Sequence, residues 1–151
     1  MSELWFTRRA VLLGSTAAIV AIGAGKAFAG NVGQATPIVE TTNGPVRGRF
    51  EAGPILSFKG LRYAAPPVGA LRFKPPQPLT PWKEVADAAQ FGNAAIQSKG
   101  QGDAPFDETY SEDCLFLNVW TPSLTAKKPV MIWLHGGAFS SGAAGRPTYW
   151  G

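Results

Sequence analysis

Apolar and polar positions alternate in short runs along most of this chain, and one run breaks the habit. Residues 38–42 and 46–50 each read as a half-buried strand. Asn43-Gly44 between them is a strong hairpin signal, because both residues tolerate positive φ. Pro45 then opens the return strand, where a missing N–H is tolerated. Residues 55–60 read as a third short strand. From Leu61 to Pro81, prolines 66, 67, 75, 76, 78 and 81 exclude helix and central strand and predict an extended, rigid path over the surface. Residues 82–89 predict a turn or two of helix, and the polar, Gly-containing stretch 97–110 predicts a loop. Residues 115–121 read as a strand halted by Pro122. The exception is Val130-Met131-Ile132-Trp133-Leu134, apolar throughout, with Pro129 before it and Gly136-Gly137 after His135. Such a run predicts a strand buried on both faces, paired antiparallel with the strand before it. A buried helix segment is the competing reading, which the flanking proline and glycines disfavour. Residues 142–151 read as loop.

Composition narrows the class. The 151 residues suffice for one domain, and 45% hydrophobic with 16% charged residues fits a globular chain. Glycine (18) and proline (13) make up about a fifth of it, consistent with many turns and short strands. Arg8, Arg9 and Lys26 against Glu3 put half of the net charge of +4 in the first 29 residues. What remains is too small and scattered to argue for nucleic acid or anionic lipid as a partner. Cys114 is the only cysteine and His135 the only histidine, which excludes an internal disulfide and offers no metal constellation.

Residues 1–29 read as an export signal. Arg8-Arg9 precedes a mildly apolar, Ala- and Gly-rich stretch from Ala10 to Gly25, and Ala27-Phe28-Ala29 offers an A-x-A cleavage site. Paired arginines with a mild apolar segment resemble the bacterial twin-arginine route. A general secretory signal and an uncleaved anchor are the rivals; the stretch falls short of the ~20 apolar residues that span a bilayer. Cleavage after Ala29 would leave a mature chain beginning at Gly30, with a lead-in over 30–36 and the folded domain over 37–151. The expected location is the periplasm or the medium of a bacterium, with no membrane contact after cleavage.

The chemistry is concentrated in His135-Gly136-Gly137-Ala138. Successive glycines after a strand let the backbone turn tightly and aim N–H groups at a ligand. In ester hydrolysis such groups hold the oxygen that becomes negative in the tetrahedral intermediate. A purely structural turn is the competing reading.

Three stretches, in order and at matching spacing, resemble the amino-terminal portion of the type B carboxylesterases, the family that includes cholinesterases. The first is Thr42-Asn43-Gly44-Pro45-Val46-Arg47-Gly48 with Phe58-Lys59-Gly60-Leu61-Arg62-Tyr63 and the proline loop beyond. The second is Ser111-Glu112-Asp113-Cys114-Leu115-Phe116-Leu117-Asn118-Val119-Trp120. The third is Trp133-Leu134-His135-Gly136-Gly137-Ala138-Phe139 with Ser141-Gly142. The resemblance covers residues 37–151. It implies an α/β fold, the amino-terminal and incomplete part of an α/β-hydrolase: a hairpin plus the first strands of a mixed central sheet. It implies a serine esterase acting on small carboxylic esters without a cofactor. The N–H groups of Gly137 and Ala138 fall at the oxyanion hole, with His135 and Gly136 shaping the loop in structural roles. Glu112 pairs with Arg72 as a clamp on the proline loop, the competing reading being two solvated surface charges. Phe116 stands where the family usually has Tyr or Thr. Relatives often bridge the cysteine matching Cys114 to one in a Phe-Gly-x-x-Cys-x-Gln stretch. Here residues 91–97 carry Ala95 at that place, so Cys114 is expected as a buried free thiol.

The serine mechanism also needs a nucleophile, a base and an orienting acid. No Gly-x-Ser-x-Gly occurs in the 151 residues, and Ser140 and Ser141 lack the glycine pattern of a strained elbow. The expectation is an amino-terminal fragment that is inactive alone and exposes apolar surface. A non-catalytic binding or scaffold protein on the same fold is the alternative, disfavoured by the intact HGGA loop.

Overall fold

The computed structural model describes residues 31–98 and 109–146. The proposed signal over 1–29, most of the 97–110 loop and the last five residues lie outside that range. Six strands form two small three-stranded sheets. In the first, β1 (Val39–Glu40) pairs antiparallel with β2 (Pro45–Arg47), which pairs parallel with β5 (Ala86–Asp87). In the second, β4 (Leu56–Arg62) lies between β3 (Arg49–Phe50) and β6 (Phe116–Thr121), antiparallel to both. The only helical piece among the described residues is a 3-10 turn, Gly69–Leu71, within the proline loop.

The hairpin forms as its sequence dictates, with its turn one residue early. Val39 faces Val46, Glu40 faces Pro45, and Thr41 N–H donates to the Gly44 carbonyl, so Thr42 and Asn43 make the turn rather than Asn43 and Gly44. The Thr41 hydroxyl also donates to the Gly44 carbonyl (2.6 Å) and accepts from the Asn43 and Gly44 N–H groups. Gly44 serves another purpose. At φ +152° it lets Trp82 approach so closely that a Cβ would lie 2.5 Å from the Trp82 carbonyl oxygen. Trp82 in turn donates its N–H to Asn43 O (2.8 Å) and its indole N–H to Pro45 O (3.0 Å).

The return strand does not run unbroken to residue 50. At Gly48 the chain leaves the first sheet and continues as β3 in the second; Thr36 bonds both backbone groups of Gly48. Residues 82–89 are not helical, although Lys83, Glu84, Ala86, Ala88 and Ala89 favour helix: the stretch runs extended, and Ala86–Asp87 pairs as β5 along the open edge of β2. The Ala88 N–H donates to Arg47 O, and the Ala88 carbonyl accepts from the Lys59 N–H, linking the two sheets. Val46, Leu56, Phe58 and Ala88 are buried where the sheets meet, with Val39, Phe50, Leu61 and Trp82 against them.

The largest departure is the apolar run. Residues 130–134 form no strand, and they are exposed, Val130 at 85% and Leu134 at 84%. Nor does this segment pair with β6, whose partner is β4. A strand buried on both faces needs a neighbour on each edge and a layer over each face, and the described residues furnish neither.

Candidate functional site

Loop 135–142 closes on itself through one carbonyl. The oxygen of Gly137 accepts from Ser140 N–H (2.9 Å), Ser141 N–H (3.1 Å) and the Ser140 hydroxyl (3.0 Å). The first bond closes a turn whose central residues, Ala138 (φ 50°) and Phe139 (φ 60°), are both left-handed. Tight turns of this kind normally carry Asn and Gly, and a left-handed L-residue costs roughly 1–2 kcal/mol. Gly137 itself lies at φ 123°, and a Cβ there would overlap the Ser141 carbonyl. Among the described residues, neither the Gly137 nor the Ala138 N–H donates to a backbone carbonyl. Backbone amides left unengaged in successive turn residues make concavities that take anions.

His135 faces its own loop. Its Nδ1 lies 2.8 Å from the Gly136 carbonyl oxygen; because a carbonyl only accepts, Nδ1 carries the proton in this contact. Gly142 packs against the same two residues, and a Cβ on it would overlap Gly136 O and crowd His135 Nδ1. Gln97 reaches Gly142 from 45 residues away, donating to its carbonyl (2.9 Å) and accepting from its N–H (2.7 Å). That contact was invisible in the sequence, where Gln97 marked only the end of the stretch matching the lost disulfide. Arg146 adds a donor to the same Gln97 oxygen at 3.3 Å.

The two carboxylates ahead of β6 are structural. Glu112 pairs with Arg72 (Oε1 to Nε, 2.5 Å), tying the segment before β6 to the proline loop. Asp113, which the sequence left unassigned, takes both terminal nitrogens of Arg62. Hydrogen bonding from Arg62 holds the Asp113 carboxyl below its usual range, against a smaller opposing effect of burial. The Arg62 guanidinium also lies 4.4 Å from the centre of the Phe116 ring. Cys114 is half-buried rather than buried, and Phe116 is half-buried too. Burial first, then the charges of Asp113 and Glu112, push the Cys114 thiol up, which keeps it protonated at neutral pH and poorly nucleophilic.

An open cleft of about 130 Å³ lies under the proline loop, lined by Ala65, Pro67, Leu71, Pro75, Pro76 and Leu115 among others. No residue of 135–142 borders it, so it is not a pocket in front of the free amides. Among the described residues, no group of three or more His, Cys, Asp or Glu could hold a metal.

Comparison with known proteins agrees with this layout. A carboxylesterase family model matches residues 35–150. The chain is 44% identical over 115 residues to the para-nitrobenzyl esterase of Bacillus subtilis, covering 74% of this chain and 23% of that protein. It is 40% identical over 124 residues to mouse cholinesterase, covering 74% of this chain and 21% of that protein. Among solved structures, a thermophilic PNB esterase superposes with a TM-score of 0.70 at 40% identity, over 76% of this chain and 24% of that one. The chain thus spans about a quarter of the length of these relatives, and its two sheets are part of an α/β-hydrolase fold.

Proposed function

Because this chain belongs to the carboxylesterase family, we propose that residues 35–150 are the amino-terminal part of a serine carboxylesterase and supply its oxyanion hole. In the assembled enzyme a serine outside these 151 residues attacks the carbonyl carbon of a carboxylic ester. Negative charge gathers on the carbonyl oxygen, and the N–H groups of Gly137 and Ala138 hold it while the alcohol leaves. Water then releases the acid from the acyl-serine intermediate. The observation that carries the reading is the left-handed turn at Ala138-Phe139, which costs conformational energy and leaves two neighbouring amides without a backbone partner. No cofactor is called for. Residues 1–29 are read as a twin-arginine signal, so the enzyme acts in the periplasm or outside the cell.

The test is a chimaera in which residues 35–150 replace the matching segment of the Bacillus subtilis para-nitrobenzyl esterase. It is expected to hydrolyse p-nitrophenyl acetate, whereas the 151-residue chain alone shows no steady turnover. Lactic acid in place of Ala138, which exchanges its N–H for an ester oxygen and leaves φ free to stay at 50°, is expected to cut kcat by about 10²–10³. A folded chimaera without turnover, or steady turnover by the chain alone, overturns the proposal.

A further inference from the structure

Gln97 stands well outside the HGGA loop in sequence yet grips its far end. Its carboxamide meets Gly142 in a paired arrangement, Nε2 donating to the carbonyl (2.9 Å) and Oε1 accepting from the N–H (2.7 Å), so it stands in for the edge of a strand. The Gly142 backbone makes no other hydrogen bond among the described residues. Gly142 is in turn pressed against Gly136 and His135, at φ +108°, with no room for a Cβ. The loop is therefore held at two levels. Its tip is closed by the three bonds to the Gly137 carbonyl. Its base is closed by Gly142 lying on His135-Gly136, and Gln97 is what keeps Gly142 there.

We propose that Gln97 is a positioning residue for the oxyanion loop: by bonding both backbone groups of Gly142 it fixes the base of the turn that presents the Gly137 and Ala138 amides. This rests on the esterase reading above. Few side chains can replace it. Glutamate keeps an acceptor for the Gly142 N–H but sets a second carboxylate oxygen against the Gly142 carbonyl, where a donor is needed. Asparagine carries the right groups on a stem one carbon shorter. Leucine matches the volume and makes neither bond. Arg146, on the same Gln97 oxygen, steadies the carboxamide with its oxygen toward the Gly142 N–H.

Gln97→Leu and Gln97→Glu in the chimaera test this. With active sites counted by titration, Gln97→Leu is expected to lower kcat per site on p-nitrophenyl acetate by about 10- to 100-fold, since a displacement near 1 Å can cost that much. KM should stay within about twofold, and affinity for a trifluoromethyl ketone, which forms a tetrahedral oxyanion on the serine, should fall in step with kcat. Gln97→Glu should lie between. Amide exchange over 135–142 should rise in Gln97→Leu whether or not the chimaera turns over. Unchanged exchange overturns the proposal, and so does a loss that appears only as fewer titratable sites with kcat per site intact. A chimaera that is inactive with Gln97 in place, but whose loop exchange still rises on Gln97→Leu, overturns the esterase reading and leaves the positioning role standing.

Discussion

The side chains that matter most here hold backbone rather than substrate. Gly44 does so by having no side chain at all. Gly44→Ala puts a methyl group 2.5 Å from the Trp82 carbonyl oxygen and forces positive φ on an L-residue. The expected cost is about 1–3 kcal/mol, read as a lower thermal midpoint of the chimaera with unchanged kcat. Acid sensitivity is set at the same scale. The Asp113 carboxyl is held low chiefly by its hydrogen bonds from Arg62, and that of Glu51 chiefly by Lys59, then by Ser57. A carboxylate whose folded pKa is depressed adds stability above its unfolded pKa of about 4, and that stability is lost as pH falls through the folded value. Asp113→Asn should therefore lower the melting temperature of the chimaera at pH 7, and the gap to the parent chimaera should close below about pH 4. Both ion pairs are partly exposed, so each contributes roughly 1 kcal/mol or less. A gap that widens on acidification would show that Asp113 acts through something other than its charge.

Among the elements, what was legible in sequence was what is decided locally. The hairpin, β4 and β6 follow from alternation, turn residues and a terminal proline. Where the structure departs from the local signal, distant partners decide. Residues 82–89 carry helix formers, but β2 offered an unpaired edge and β5 filled it. The hairpin turn moved one residue because Gly44 was reserved for Trp82, 38 positions on. Pairing of Glu112 with Arg72 was legible through the family resemblance; the grip of Gln97 on Gly142 was not, because nothing local marks it. Residues 130–134 read as a buried strand from an unbroken apolar run between Pro129 and Gly136-Gly137. The composition is right for burial and the described residues provide no cover. It follows that one substitution should have opposite effects in two settings. Ile132→Lys in the 151-residue chain should reduce aggregation and leave the two sheets unchanged by circular dichroism. In the chimaera, where the remaining sheet is present, the same lysine meets a dry interior and should destabilise the fold by several kcal/mol or prevent folding. Equal tolerance in both settings would mean that this segment is a surface strap and not a strand in waiting.

At the scale of the whole molecule, the balance of exposed and buried apolar groups is the deciding quantity. The buried hydrophobic core among the described residues consists of Val46, Leu56, Phe58 and four alanines. Against it, Val130, Met131, Ile132, Trp133 and Leu134 form one continuous exposed run, and Leu117, Val119 and Trp120 of β6 are exposed as well. Isolated exposed apolar residues are ordinary; a contiguous run of five marks a surface that another part of a protein covers. A core this small supplies little to offset the conformational entropy of ordering the chain. A net charge of +4 resists association only weakly. The 151-residue chain alone is therefore expected to bind a hydrophobic dye at neutral pH, to sediment as oligomers at micromolar concentration and to melt without a cooperative transition. In the chimaera the dye signal should vanish and a single transition should appear, because the same run is then enclosed. Calorimetry of both proteins in one buffer distinguishes the cases. A sharp transition from a monomeric 151-residue chain would show that its two small sheets suffice as a folding unit, and the exposed run would then need a different explanation from an uncovered central strand.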